Sequence, residues 1–142
     1  YGHLRHPKRD MVWVALAGPG ANFAMGLLWG AALYLLQGAG VDEVFFIKMC
    51  EGGVLVNVVM CVFNLFPLPP LDGGRVLTGV LPYRLAVAFS GIERWGFFIV
   101  MALVVTKIID DYWMRPLMAL NFIALDFLLS PLAAILNAAP AQ

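Results

Sequence analysis

The chain has 142 residues, of which 62% are hydrophobic and only 13% are charged, and its formal net charge is zero. Soluble domains contain roughly 45 to 50% apolar residues, so this composition and a mean hydropathy of +0.86 predict an all-α, polytopic membrane protein. A neutral chain without a basic stripe argues against nucleic acid as a partner. Cys50 and Cys61 are too few for a thiolate metal site, and we interpret both as small apolar residues.

Four hydrophobic segments predict about four transmembrane helices in a single domain covering residues 1–142. The first segment is uncharged over 26 residues, long enough to cross a hydrocarbon layer of about 30 Å. The third is short, and it begins earlier if Glu93 and Arg94 face the bundle or pair with each other. The fourth contains an aspartate and a proline, which makes it the weakest candidate for a full span. The predicted spans are residues 11–36, 52–71, 95–109 and 117–136.

Positive charges suggest an orientation for these spans. Six lysine and arginine residues lie before the first span and between the second and third, against three in the other two connections. Because cytoplasmic connections are enriched in such residues, we expect the N-terminal edge and the connection that follows Asp72 to face the cytoplasm.

The end of the second span carries the strongest candidate for function, Asp72. An uncharged run ends there in a proline cluster, Pro67-Leu68-Pro69-Pro70, followed by Leu71-Asp72-Gly73-Gly74-Arg75. The prolines must stop regular helix near Phe66, and non-helical backbone at that depth persists only inside protein or beside a watery cavity. A carboxylate in this position is costly unless it has a ligand, a partner or water. A simpler interpretation is an Asp-Gly turn that caps the span.

The first span contains a second signal, small and polar residues at every fourth position. This spacing places them on one helical stripe, which is typical of close helix packing, so we expect the stripe to face another helix. Pro19, between two glycines, loosens the hydrogen-bond ladder, and a local kink there would direct the amide of Asn22 toward an interior site. The stripe consists of Gly18, Asn22, Gly26 and Gly30.

Together these two elements resemble the bacterial branch of the site-2 protease family, zinc metalloproteases that cut within membranes. The resemblance rests on Ala17-Gly18-Pro19-Gly20-Ala21-Asn22 and on Asn64-Leu65-Phe66-Pro67-Leu68-Pro69-Pro70-Leu71-Asp72-Gly73-Gly74, in this order and spacing. It implies that Asp72 is the third zinc ligand and that Asn64 assists the substrate carbonyl or the catalytic glutamate. Gly18, Pro19, Asn22, Pro67 and Gly73 would then bind substrate or support the site. It also implies a multi-pass protein of the bacterial inner membrane, with a membrane protein or peptide as substrate.

The chemistry agrees with this interpretation, but one part of the family pattern is missing. Catalytic zinc takes three protein ligands and an open position, and two histidines with one carboxylate are a known set. The His-Glu-x-x-His helix, which would supply the histidines and the general base, is absent from the sequence. His3 and His6 lie in a basic segment, and we interpret them as loop residues. We therefore expect a C-terminal fragment that is inactive and holds no zinc without that N-terminal segment.

Two other functions remain open from the sequence. Asp126, with Ser130 one turn away and Asn121 nearby, could belong to an ion or proton path in a transporter or channel. An inactive membrane scaffold would fit if the parent gene also lacks a His-Glu-x-x-His helix. The residues that precede Tyr1 in the gene would separate these possibilities.

Overall fold

The computed structural model describes residues 7–138, and every regular element in this range is helical. Connections of two to seven residues join the helices, and the π-helical turn continues directly into the last one. The elements are α1 (Pro7–Gly38), α2 (Val44–Asn64), α3 (Asp72–Val80), α4 (Tyr83–Ser90), α5 (Glu93–Val105), a π-helical turn (Asp110–Met114) and α6 (Arg115–Ala138).

The all-α membrane architecture predicted from composition is confirmed. Within residues 7–138, three helical segments are long and apolar enough to cross a membrane, namely Arg9–Gly38, Val44–Asn64 and Asp110–Leu136. Helices α4 and α5 would form a fourth crossing, although they are bent by 63° relative to each other. The described part of the chain therefore has three to four candidate crossings, as expected of a multi-pass membrane protein. Most of the large apolar side chains on these helices are exposed, as expected of surfaces that face lipid.

The second span was predicted at residues 52–71, but the helix starts eight residues earlier and ends seven residues earlier than these bounds. The helix begins at Val44 rather than residue 52, because Lys48 and Glu51 are accommodated on its exposed side, with Nζ of Lys48 3.3 Å from Oε2 of Glu51. It ends at Asn64, two residues before the expected stop at Phe66. The segment between α2 and α3 is irregular, which confirms the proline-broken region before Asp72.

The last two spans were also misplaced at their boundary. α5 covers Glu93–Val105 instead of residues 95–109, and the chain then turns at Lys107, which has a φ of 61°. The following helix starts with the π-helical turn at Asp110, seven residues before the predicted start of the fourth span. Its charges are satisfied locally, because Arg115 lies 3.7 to 3.8 Å from the carboxylates of Asp110 and Asp111. A span can therefore begin within this charged segment.

Glu93 and Arg94 are exposed and do not pair with each other. The Arg94 guanidinium instead lies 5.9 Å from the centroid of the Trp95 ring.

The core lies where α1, α2 and α6 pack together. Its buried side chains come from α2, the π-helical turn and α6, and include Val58, Val62, Met114 and Leu125. Gly26 and Gly30 of the small-residue stripe on α1 face this core, and this part of the stripe packs against other helices, as predicted. A methyl group at Gly26 would lie 3.7 Å from Cβ of Asn57, and one at Gly30 would lie 2.6 Å from Leu129. Glycine at position 30 therefore allows α6 to approach α1 more closely than any larger residue would.

The two cysteines behave as small core residues. Cys50 and Cys61 are both buried and are not joined in a disulfide. The sulfur of Cys61 accepts a 3.5 Å hydrogen bond from the Asn121 amide of α6. Oδ1 of the same amide is buried without a hydrogen-bond partner among the described residues.

Candidate active site at the end of the second span

The irregular segment at residues 65–71 is held in place by two glycines at the start of α3. A side chain at Gly73 would overlap the carbonyl groups of Leu65 and Phe66, and one at Gly74 would overlap the backbone of Pro69. Both glycines are buried, which explains why no larger residue fits after Asp72. Pro67 is exposed and Pro69 is buried, so the prolines shape the segment from both sides.

A tryptophan in the π-helical turn fixes the same region to the core. Nε1 of Trp113 donates a 2.8 Å hydrogen bond to the carbonyl of Val62 near the end of α2. The ring of Phe66 packs edge-on against the Trp113 ring at a centroid distance of 5.3 Å. The end of α2 and the start of the irregular segment are thus anchored to the last span. The role of Trp113 was not predicted from the sequence. The indole N–H of a half-buried tryptophan usually has a hydrogen-bond partner, and this is the only sequence signal for such a contact.

Asp72 is the first residue of α3 and is half-buried. Its carboxylate faces α1, where a methyl group at Gly18 would come within 2.9 Å of Oδ2. No hydrogen bond or ion pair from another described residue reaches this carboxylate, and the N-cap position is Leu71 rather than Asp72. The structure therefore gives no support to the side-chain cap considered above. A negative charge in the first turn of a helix is nevertheless favourable, because the free N–H groups give that end a partial positive charge.

Asn64 lies at the last position of α2, close to the start of α3. Leu65, which follows Asn64, is in contact with Gly73, which follows Asp72, because Gly73 packs against the Leu65 carbonyl. The side chain of Asn64 is half-buried and forms no hydrogen bond with a described residue. Both polar side chains therefore lie at one end of the bundle with open hydrogen-bonding capacity.

The predicted kink in α1 is not seen as a break, because the helix continues through Pro19 from Pro7 to Gly38. Pro19 is buried, and Gly18 remains exposed beside Asp72. Asn22 lies one helical turn, about 6 Å, further along α1 and is half-buried, and its side chain makes no hydrogen bond with a described residue. The stripe thus contributes Gly18 to the site and Gly26 and Gly30 to the core.

The donor set of this site is incomplete for a metal ion. Between residues 7 and 138, no three His, Cys, Asp or Glu side chains are grouped so that they could hold a metal. Asp72 itself fits the role of a single ligand, because its carboxylate has no partner among the described residues and the missing side chain of Gly18 leaves space beside it. His3 and His6 lie outside the described residues.

The residues considered for an ion path do not form a group. Asp126 and Ser130 are exposed, and Ser130 donates its hydroxyl to the carbonyl of Phe127 within the same helix. Asn121 faces Cys61 of α2 instead.

Two further residues, one in α2 and one in α5, were not predicted from the sequence. Asn57 is buried and donates to the Gly53 carbonyl at 2.8 Å, and Gly96 of α5 packs against the Pro69 carbonyl.

The curated bacterial proteins that are similar to this chain include the following three. "Putative zinc metalloprotease YwhC" of Bacillus subtilis is 27% identical over 125 residues, which cover 81% of this chain and 54% of that protein. "Putative zinc metalloprotease Rip2" of Mycolicibacterium smegmatis is 34% identical over 101 residues, covering 70% of this chain and 38% of that protein. "Putative zinc metalloprotease Rip3" of Mycobacterium tuberculosis is 32% identical over 80 residues, or 56% of this chain and 20% of that protein.

These relatives confirm the resemblance recognised from the sequence motifs, and their names support a protease-like role. The chain spans about half the length of the Bacillus protein and less of the other two. No protein-family model matches the chain, and no solved structure is significantly similar to it.

Proposed function

We propose that this chain, a relative of the zinc metalloproteases of the site-2 protease family, forms the part of an intramembrane protease that carries the third zinc ligand. In this proposal Asp72 binds zinc through its carboxylate, and Asn64 orients the substrate carbonyl or the catalytic carboxylate. A His-Glu-x-x-His helix, supplied by a segment that precedes this chain in the parent protein, contributes the other two ligands and the general base.

The single observation that carries the proposal is the position of the Asp72 carboxylate. It lies at the end of a span, against the gap left by Gly18 and without a hydrogen-bond partner among the described residues. A carboxylate at membrane depth usually has a cation, a hydrogen-bond donor or water as its partner. Zinc bound here would lower the pKa of its water and polarise a peptide carbonyl.

The rest of the site serves to hold Asp72 in position and to admit water. Gly73 and Gly74 allow α3 to pack directly on the irregular segment. Trp113 of the π-helical turn holds the end of α2 through the Val62 carbonyl and the start of the segment through the ring of Phe66. Because the segment is not helical, its carbonyl groups must be satisfied by protein or water, which is compatible with a wet pocket at membrane depth.

The protease would act in the bacterial plasma membrane on a membrane protein or a peptide derived from one. We propose residues 1–142 as a single transmembrane domain of that larger enzyme. An inactive scaffold is the alternative if no His-Glu-x-x-His helix precedes the chain. A transporter or channel based on Asp126 is disfavoured by the separate positions of Asp126 and Asn121.

The proposal is tested by comparing this chain alone with the chain coexpressed with the His-Glu-x-x-His segment of its parent protein. The chain alone, purified in detergent, should be helical but should hold no stoichiometric zinc and cleave no peptide, because two ligands and the base are absent. Coexpression should restore zinc, measured by mass spectrometry, and cleavage. Chelator-sensitive cleavage by the isolated chain would contradict this ligand set and would direct attention to His3 and His6.

A further inference from the structure

A cavity of about 170 Å³ lies near the beginning of the first candidate span. It is formed by the start of α1, the irregular segment and helices α3, α4 and α5. Sites for drug-sized ligands measure about 300 to 1,000 Å³, so this smaller cavity suits a ligand group of few atoms. Its lining residues are Met11, Pro69, Arg75, Thr78, Ser90 and Glu93.

The two charged residues of the cavity require partners of opposite charge. Arg75 belongs to α3 and Glu93 is the first residue of α5, and both are exposed. Within residues 7–138 neither of them takes part in an ion pair, so they do not neutralise each other across the cavity. A guanidinium group binds phosphate oxygen atoms, whereas a carboxylate accepts hydrogen bonds from an ammonium group. A ligand that carries both charges therefore satisfies both residues.

The two hydroxyl groups of the cavity act as acceptors. Thr78 donates its hydroxyl hydrogen to the Gly74 carbonyl at 2.9 Å, and Ser90 donates its own to the Val87 carbonyl at 3.1 Å. Because the hydrogen atoms are used in this way, the two oxygen atoms can only accept. Together with the Glu93 carboxylate they provide acceptors for the several N–H groups of a primary ammonium. A quaternary ammonium has no N–H group to donate.

The position of the cavity along the helices corresponds to the level of lipid headgroups. Met11 lies two residues inside the first candidate span, which begins at Arg9. Trp13 and Trp95 follow Met11 and Glu93 by two residues, about 3 Å along a helix, and both indole side chains are exposed. Tryptophan is enriched at the boundary between hydrocarbon and headgroups. The cavity is therefore level with the headgroups of the adjacent leaflet.

We propose that this cavity binds the headgroup of phosphatidylethanolamine, with the phosphate on Arg75 and the primary ammonium on Glu93. The hydroxyl oxygen atoms of Thr78 and Ser90 accept further N–H groups of the ammonium. Phosphatidylglycerol has the phosphate but no positive charge for Glu93. Phosphatidylcholine has both charges but no N–H group for the acceptors.

The same pair of charges is present on soluble phosphoethanolamine, but the lipid is the occupant that fits the site. The cavity lies at headgroup level in a membrane protein, and most of its lining is apolar, which suits the glycerol end of a lipid. The site does not involve Asp72, so this inference is independent of the proposed zinc chemistry.

The first arm of the test compares lipids on the unaltered chain, so it does not depend on how a variant folds. Native mass spectrometry of the full chain, released from detergent micelles, measures its affinity for each lipid. Phosphatidylethanolamine, its monomethyl and dimethyl derivatives and phosphatidylcholine share the phosphate but lose one N–H donor at each step. We expect the affinity to fall along this series by about two- to five-fold in all, the range for one solvent-accessible ion pair. Equal affinities along the series would overturn the inference.

The second arm separates the two charges. Glu93→Gln should shift the ratio of affinities for phosphatidylethanolamine and phosphatidylglycerol toward phosphatidylglycerol by about two- to five-fold. Arg75→Gln should lower the affinity for both lipids by a similar factor, because both carry the phosphate. Glu43→Gln and Arg84→Gln are the matched controls, since both residues are exposed and neither lines the cavity.

Three results of these measurements would contradict the site. One is an equal lipid ratio in Glu93→Gln and Glu43→Gln, or an equal affinity in Arg75→Gln and Arg84→Gln. Another is tighter binding of phosphatidylglycerol than of phosphatidylethanolamine by the unaltered chain, because the cavity would then bind anionic lipids in general. The third is displacement of phosphatidylethanolamine by an equal concentration of soluble phosphoethanolamine, which would identify the occupant as a soluble zwitterion.

Discussion

The Asp72 carboxylate in α3 and the backbone of Gly18 in α1 face each other so closely that a methyl group at Gly18 would come 2.9 Å from Oδ2 of Asp72. The two residues are 54 positions apart in the chain, and each belongs to one of the two elements from which the family was recognised. Glycine at position 18 therefore leaves the space that a ligand of Asp72 would use. This contact joins the two motifs into one site.

We predict that Gly18→Ala in the parent protein lowers its affinity for zinc about ten- to one-hundred-fold, the range seen when groups around metal ligands are disturbed. The added methyl group would displace the carboxylate or occupy the space beside it. Competition with a chromogenic chelator measures the affinity. Gly20→Ala is the control, because no atom lies within 4 Å of a methyl group at Gly20. Equal affinities in the two variants would contradict the contact.

We predict that Gly96→Ala destabilises the protein by about 1 to 3 kcal/mol, the usual range for overpacking. A side chain at Gly96 would overlap the Pro69 carbonyl and push α5 away from the segment that leads to Asp72. Thermal unfolding in detergent, followed by circular dichroism, tests this. Gly52→Ala serves for comparison, since no atom would meet its methyl group. Equal melting temperatures for Gly96→Ala and Gly52→Ala would show that α5 does not pack on this segment.

We predict that Gly30→Leu destabilises this chain itself, by an amount comparable to or larger than the effect at Gly96. The reason is that Leu129 of α6 and Val54 of α2 already occupy the space beside Gly30. Gly52→Leu is the matched variant on an open position. If Gly30→Leu kept the melting temperature and lost only the association with the His-Glu-x-x-His segment, the stripe would belong to that interface instead.

Asn64→Ala should retain zinc but lower turnover by two to three orders of magnitude in the active parent enzyme. This is the loss found when one donor to a developing oxyanion is removed, about 2.7 to 4 kcal/mol. Zinc content and single-turnover cleavage are measured on the same preparation. A turnover within a few-fold of wild type would show that Asn64 only ends α2.

The sequence predicted those parts of the structure that follow local rules. The proline cluster predicted a break near Phe66, two residues after the observed end of α2 at Asn64. The four-residue spacing from Gly18 to Gly30 predicted a packed face on α1. The start of α2 was missed because Lys48 and Glu51 form a local pair on an exposed face, which no hydrophobicity pattern reveals. The packing of Gly96 on Pro69 and the hydrogen bond from Trp113 to Val62 connect distant segments, so no local spacing could predict them.

The most direct test of the account is the zinc content of the parent protein with Asp72→Asn, measured beside Asp126→Asn. Both changes replace a carboxylate by an amide in a membrane domain, but Asp126 is exposed on α6, whereas Asp72 is half-buried at the start of α3. An amide oxygen is a much weaker zinc ligand than a carboxylate. We therefore expect Asp72→Asn to lose zinc and proteolysis while remaining folded, and Asp126→Asn to keep both. Wild-type zinc stoichiometry and proteolysis in Asp72→Asn would contradict the assignment of Asp72 as a zinc ligand.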